Sequence, residues 1–242
     1  METYLKNLDR TELQKAKLVI GQFITSCSHS MRGPLKSITG LANLLQNDKN
    51  CSSQDAAMFL DLIGLTVNRM EHTLDELEHF LENSKRKVAS KAIDCSELLN
   101  IVFRQYEEEL STKHIETNLR VEQTVPFYSD MARLRIILSN IFSNAIQFCD
   151  VNKNNRKINI TVNTTAQTCI FTISDNGIGI APENHLKIFQ LFFRATERSI
   201  GTGVGLYVVK EAIEKMVGNI YVTSALGEGS TFRVILPNLP SG

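Results

Sequence analysis

Two long runs of apolar residues at steps of three and four, parted by a short polar stretch, dominate the first third of the chain. Ala16, Ile20, Phe23, Cys27, Met31, Pro34, Ile38, Leu41 and Leu45 make the first run; Ala56, Leu60, Ile63, Val67, Met70, Leu74, Leu77 and Leu81 make the second. Such spacing is one face of an α-helix, and each run stays close to a heptad seam. The polar stretch Asn47 to Ser53 ends the first helix, and Ser52 with Asp55 three residues on provides the N-cap of the second. A lone hairpin leaves such a seam wet, so two copies are expected to pair into a four-helix bundle. Residues 1–88 are read as this dimerisation unit, the basic stretch Lys85 to Lys91 as a linker, and residues 92–242 as a second domain.

The second domain changes character. Short strands are predicted at Ile93 to Cys95, Ile115 to Val121, Lys157 to Thr164 and Thr168 to Ser174, with a hairpin of Tyr221 to Ser224 and Thr231 to Leu236 around Gly227 and Gly229. Helical patterning covers Ser96, as N-cap, to about Ser111, then Asp130 to Phe148, Glu183 to Phe193 and Val204 to Met216. Helices mixed with antiparallel strands predict an α+β sandwich, a sheet with helices on one face.

Composition narrows the partners. Lys plus Arg, at 26, balance Asp plus Glu, at 26, so no global field would hold the chain on nucleic acid or an anionic membrane. No apolar run approaches the roughly 18 residues of a membrane span, and Met1 to Arg10 lacks the regions of a signal peptide. The five cysteines Cys27, Cys51, Cys95, Cys149 and Cys169 are odd in number and far apart, with no C-x-x-C pair. They are read as buried free thiols in a reducing, cytoplasmic setting.

His29 is the most informative single residue. At about 100° per residue it lies roughly 180° from Ile20 and roughly 200° from Cys27 and Met31, off the apolar stripe and facing water. A core histidine would need the opposite face, whereas a plain surface histidine remains open. Gly33 and Pro34 follow mid-helix, where proline alone costs ~3 kcal/mol, so stability does not account for them. The proline frees the Ser30 carbonyl and the glycine clears bulk, which would let a second macromolecule approach the imidazole.

Four further segments bear on chemistry. On the helix from Asp130, Asn140, Asn144 and Gln147 align at i, i+4 and i+7, and an asparagine carbonyl is a hard oxygen of the kind Mg²⁺ accepts beside phosphate and water. Asp175-Asn176-Gly177-Ile178-Gly179-Ile180 places a carboxylate at a strand end, where it can accept from an exocyclic amine, followed by backbone against which a flat ring can lie; alone, it is also an ordinary turn. Gly201-Thr202-Gly203-Val204-Gly205-Leu206 opens the last helix, where backbone amides and the helix dipole suit phosphate. Its spacing is neither the dinucleotide G-x-G-x-x-G nor a Walker loop. Between the glycine motifs, Ile188 to Arg194 is aromatic-rich and suits core packing or a hinge, with Ala195 to Ile200 a lid from which Arg194 and Arg198 reach a phosphate.

Together these segments resemble a two-component sensor histidine kinase over about Gly21 to Pro237. Ser28 to Leu35 resembles the phospho-acceptor motif and Leu138 to Ala145 the asparagine motif; Asp175 to Ile180, Ile188 to Arg194, Gly201 to Leu206 and Gly227 to Phe232 follow in family order. The resemblance implies a Bergerat-type ATP fold, shared with gyrase and mismatch-repair ATPases, joined to a dimeric helical bundle. It implies ATP and Mg²⁺ as cofactors, with Asn144 on the metal, Asn140 and Gln147 near the phosphates, and Asp175 receiving the adenine amine. Gly177, Gly179, Arg194, Gly201, Thr202, Gly203, Gly205 and Leu206 would line the nucleotide, and His29 would be the phosphorylated nucleophile.

A response-regulator receiver domain would then take the phosphoryl group on an aspartate, the chain acting as a homodimer. A helix starting almost at Met1 implies a sensor segment upstream or elsewhere. Three positions depart from the pattern: Ser30 stands where an acid usually orients the imidazole, Gly33 where Thr or Asn serves dephosphorylation, and Gln147 where a base is usual. The alternative is a degenerate dimeric ATP-binding scaffold with little or no kinase activity.

Overall fold

The computed structural model describes residues 31–47, 52–85, 88–196 and 203–239, together with 21, 24, 25 and 28. His29, Ser30, Cys27, Cys51, Arg198, Gly201 and Thr202 lie outside the described residues. The chain divides into two compact units, the division falling between Leu77 and Glu78.

In the first unit, residues 31–47 form α1, which runs unbroken through Gly33 and Pro34. A Cβ on Gly33 would meet nothing within 4 Å, as at Gly40 and Gly64 of the same hairpin. Helix α2, Ser53–Lys85, begins in this unit and continues past the division at Leu77, and it opens on a reciprocal cap. The Ser52 hydroxyl accepts from the Asp55 amide at 3.1 Å, while the Asp55 carboxylate accepts from the Ser52 amide at 3.2 Å. Leu35, Leu60 and Leu65 are more than half exposed, so the hairpin carries apolar surface that its own chain does not cover.

The second unit is built on a five-stranded sheet in the order β2-β4-β5-β7-β6, beside a two-stranded ribbon of β1 and β3. These are β1 Lys91–Ile93, β2 Glu116–Gln123, β3 Phe127–Ser129, β4 Lys157–Thr164, β5 Thr168–Asp175, β6 Asn219–Ala225 and β7 Gly229–Pro237. Helices α3 Cys95–Arg104, α4 Glu107–Thr112, α5 Met131–Gln147 and α6 Gly205–Lys215 complete it. Period-two alternation sends Ile158, Ile160 and Val162 of β4, Phe171 and Ile173 of β5, and Phe232 and Val234 of β7 inward. They meet Leu134, Ile137 and Ile141 of α5 and Val209, Ala212 and Ile213 of α6 in one core.

Several local expectations are corrected. The pairing of β2 with β4 is parallel, from Glu116 opposite Lys157 to Gln123 opposite Thr164, so the sheet is mixed. The long crossover through β3 and α5 makes that possible. The strand placed at Ile93 to Cys95 ends at Ile93, because Asp94, not Ser96, is the N-cap of α3: Oδ1 accepts from the amides of Ser96 at 2.8 Å and Glu97 at 3.0 Å. The helix expected to reach Ser111 breaks at Gln105 and Tyr106, where the Tyr106 hydroxyl donates to the Ser139 carbonyl and its ring meets Phe142 edge-on.

Glu183 to Phe193 is not a helix but two single 3₁₀ turns, Pro182–Asn184 and Lys187–Phe189. Helical spacing there reflects only which residues are buried, Ile188 fully and Phe189 and Phe193 in part. The left-handed φ of +67° at Phe192 stops any helix from continuing.

Asp130 anchors the start of α5 and the chain leading into the domain. Its Oδ1 accepts from the Arg133 amide at 3.0 Å, while Oδ2 takes the Arg133 guanidinium at 2.6 Å and the Ala89 amide at 3.0 Å. Burial pushes this carboxyl up, but the two amides and the guanidinium outweigh it and hold the group below its ordinary value.

Candidate functional site

Helix α5 buries Leu134, Leu138, Ile141 and Ala145, which leaves Asn140, Asn144 and Gln147 half-buried on a neighbouring face. The Asn140 Nδ2 donates to the Ile136 carbonyl one turn back at 2.8 Å. That fixes the side chain and makes its carbonyl oxygen the group offered outward. The Asn144 carbonyl closes the helix by accepting from the Phe148 amide at 2.9 Å.

The end of α5 is also where the first glycine motif docks. The Phe148 carbonyl accepts from the Ile178 amide at 3.0 Å, and a Cβ on Gly177 would stand 2.3 Å from that same oxygen. Gly179 has φ +71°, and its Cβ would lie 1.9 Å from the Ala225 carbonyl oxygen. Both glycines are therefore required by main chain packed against main chain, a reason distinct from clearing room for a ring. Sequence spacing alone does not separate the two.

Asp175, the last residue of β5, is half-buried, and Oδ1 accepts from the amides of Gly177 at 2.8 Å and Ser230 at 3.2 Å. Burial pushes its carboxyl up to about 6, against the two amides and the nearby Lys153 ammonium, which pull it down. The β6–β7 turn joins the motif from the other side. The Ser224 hydroxyl accepts from the Ile180 amide at 2.8 Å and donates to the Gly229 carbonyl at 2.7 Å, while the Gly227 amide reaches the Ile178 carbonyl at 2.8 Å.

The second glycine motif is described from Gly203. Its φ is +76°, a Cβ there would stand 2.7 Å from the Phe193 carbonyl oxygen, and the Gly203 carbonyl accepts from the Phe192 amide at 3.0 Å. The aromatic segment and this motif are thus one tied unit. Helix α6 starts at Gly205 behind Val204, a residue with no side-chain cap, so no side chain of the N-cap residue takes the first amides. Leu206 is half-buried and Arg194 exposed beside this unit.

The structure therefore ties the end of α5, one turn past Asn144, to Gly177 and Ile178 of the first glycine motif through Phe148, and ties the segment before Arg194 to Gly203. Sequence reading missed Lys153 and Ser224, and took Ser230 only as a member of the Gly227 to Phe232 motif without a role. Lys153 stands in the polar run 150–155 without a motif, and the two serines look like strand residues on either side of a turn. Among the described residues no group of three His, Cys, Asp or Glu could hold a metal ion. A divalent ion at Asn144 would take its other ligands from phosphate and water, which suits Mg²⁺. Among the described residues no helix is long and apolar enough to cross a membrane.

Comparison with known proteins agrees with this geometry. Residues 129–240 match the histidine kinase-, DNA gyrase B- and HSP90-like ATPase family, and residues 19–85 match the His Kinase A phospho-acceptor domain. Cyanobacterial phytochrome B of Nostoc is 30% identical over 94% of this chain and 31% of its own length. Sensor histidine kinase ZraS of Escherichia coli is 29% identical over 93% of this chain and 47% of its own. The chain thus spans less than half the length of these two relatives.

Among solved structures, the Acinetobacter baumannii histidine kinase AdeS aligns with a TM-score of 0.64 at 22% identity, covering 87% of this chain and 98% of that one. Histidine kinase ThkA, solved in complex with response regulator protein TrrA, aligns with a TM-score of 0.72 at 21% identity over 94% of this chain and 64% of that one. These two likenesses agree on the fold. With a phospho-acceptor hairpin followed by an ATPase domain whose asparagine helix and first glycine motif meet at Phe148, the chain belongs to the sensor histidine kinases.

Proposed function

We propose that this chain is the working core of such a kinase: it binds Mg-ATP between α5 and the first glycine motif, phosphorylates its own His29, and passes the phosphoryl group to an aspartate of a separate receiver domain. The observation that carries this reading is the hydrogen bond from Ile178 to Phe148 at 3.0 Å, since it sets the Asp175 motif against the end of the helix bearing Asn140 and Asn144. Asp175 Oδ1 is held by two amides, and Oδ2 accepts the adenine amine. Asn144 would hold Mg²⁺, whose charge would neutralise the phosphates, and Asn140, its Nδ2 already given to the Ile136 carbonyl, would offer its side-chain oxygen on the phosphate side.

In the transfer, a neutral ring nitrogen of His29 forms a bond to the γ-phosphorus as the bond to the β-γ bridging oxygen breaks. ADP leaves and the imidazole loses its proton to water. A loose transition state of this kind relies on positioning and charge neutralisation more than on a strong base. In the second step an aspartate oxygen of the receiver displaces the imidazole. The partner follows the class of protein bound to ThkA. Residues 1–88 supply the dimer contact and the acceptor, 92–242 bind the nucleotide, and the kinase core works in the cytoplasm.

Gln147, in place of the usual basic residue, favours the rival reading of a nucleotide-binding scaffold without transfer. Incubation with γ-labelled ATP and Mg²⁺, followed by acid and base treatment, separates the two. Acid-labile, base-stable label that is lost in His29→Ala and in Asn144→Asp supports the kinase. No label on the parent supports the scaffold.

A further inference from the structure

Lys153 lies outside every motif, yet its ammonium is among the most fully used side-chain donors of the nucleotide domain. It donates to the carbonyls of Asn176 at 2.7 Å and Gly227 at 2.5 Å, with the Gly177 carbonyl at 3.5 Å. Three acceptors from two separated segments converge on one three-donor group, and none of these bonds goes to a carboxylate. A lysine kept only for surface charge has no reason to be so enclosed.

The peptide between Asn176 and Gly177 shows what the enclosure does. A trans peptide is planar, with its C=O and N–H pointing in opposite directions. Its carbonyl is the one held by Lys153, and its N–H is the one that donates to Asp175 Oδ1 at 2.8 Å. Lys153, the peptide and the carboxylate thus stand in a line in which each bond polarises the next. Were that peptide to rotate, Asp175 would lose its shorter amide bond and its fixed orientation. The same ammonium clamps the Gly227 turn, whose strand β7 supplies the second amide, that of Ser230.

We propose that Lys153 is a positioning residue for base recognition, fixing the Asn176–Gly177 peptide and through it the direction of the Asp175 carboxylate toward an adenine amine. This rests on the nucleotide reading above. Its field also favours the ionised carboxylate, the form that accepts from an amine, over the protonated form that burial favours.

The test measures ADP and inosine diphosphate binding by calorimetry on the full chain, parent against Lys153→Met. Inosine carries a carbonyl where adenine carries the amine, so the affinity ratio reports the aim of Asp175 rather than general integrity. The parent is expected to prefer ADP by about tenfold or more, and Lys153→Met to bring the ratio to within about twofold of unity. In the variant the fall of ADP affinity with acid is expected to begin at higher pH.

A parent that binds neither nucleotide, or both alike, overturns the nucleotide reading itself. A parent that discriminates beside a variant with an unchanged ratio, whatever its absolute affinity, overturns the role of Lys153 alone. Should Lys153→Met fail to melt cooperatively, Lys153→Gln is read by the same ratio, since it stays polar but brings two donors in place of three and no charge.

Discussion

Gly229 and Asp175 meet main chain to main chain: a Cβ on Gly229 would stand 2.1 Å from the Asp175 carbonyl oxygen. That approach brings the next amide, Ser230, to the Asp175 carboxylate at 3.2 Å. The first residue of β7 and the last of β5 are thereby parts of one device, though 54 positions, from 175 to 229, separate them in the chain.

Gly229→Ala is expected to destabilise the domain by more than ~2 kcal/mol, because φ is +106° and the neighbouring atoms are backbone that cannot yield. Gly227→Ala is the contrast. It has φ +78° but open space around it, so a cost of about 1 kcal/mol is expected. Urea denaturation of both variants checks the difference.

The carboxyl of Asp175, raised to about 6 by burial, binds its proton more tightly when folded than at the ordinary 3.8 of the unfolded chain. The contribution of this group to stability is therefore full below about 3.8 and declines as pH rises through about 6. Nucleotide binding has the opposite sign, since an amine donates to the ionised form. ADP affinity is expected to rise with pH around a midpoint near 6, and Asp175→Asn to flatten that profile. The same variant should be more stable than the parent at neutral pH, by about 1 to 3 kcal/mol. Calorimetry across the pH range and thermal melts give both readouts.

The sequence disclosed the elements whose signal is periodic or chemically distinctive. Strand β4 alternates cleanly and lies at Lys157–Thr164 as expected, and the Ser52–Asp55 cap follows from two residues three apart. What it withheld has a common physical cause. Strand β3 is three residues long and too short for a period, and the 3₁₀ turns around Ile188 copy helical spacing because burial alone sets it. Lys153 acts through carbonyls from positions 176 and 227, a convergence set by the sheet order. Motif order singled out Asn144 and Asp175 but not the Phe148 carbonyl that ties the end of α5 to the first glycine motif, since a main-chain atom leaves no residue signature.

A fragment from Val88 to Gly242 is expected to be a monomer that still binds ADP, whereas the full chain sediments as a dimer. The cut is placed at Val88 because the Ala89 amide donates to Asp130 at 3.0 Å and Lys91 to Ile93 form β1. The exposed leucines of α1 and α2, among them Leu60 at 60% and Leu65 at 58%, are left behind with the hairpin. Sedimentation velocity of both species decides it: a monomeric full chain would end the dimer assignment.

Val217 closes α6 with a left-handed φ of +57°, donating to Glu214 at 3.0 Å while the Gly218 amide reaches Ile213 at 2.9 Å. Glycine is the usual residue at such a helix end, and a β-branched one is strained there. Because Val217 is 82% exposed, its side chain returns little for that strain. Val217→Gly is expected to stabilise the domain by about 1 kcal/mol, a rise in melting temperature of roughly 2 to 4 °C. A lower melting temperature would show that the valine packs against something the strain argument omits.

The last prediction concerns Ser30, next to the proposed acceptor His29. An acid is usual at this position of the family, where it orients the ring and takes its proton, and groups of that kind contribute about 10² to 10⁴ in rate. Serine brings no charge. Phosphoryl transfer through a loose transition state nonetheless depends chiefly on geometry and on charge neutralised at the phosphates, which Asn144 and the ion it holds are proposed to supply. Autophosphorylation of the parent is therefore expected to be slow but measurable, faster in Ser30→Glu by at least about tenfold, and absent in His29→Ala. A time course of acid-labile label for the three forms, at equal nucleotide occupancy, makes the comparison. An unchanged rate in Ser30→Glu would show that the proton leaves by another path and that positioning alone limits the parent.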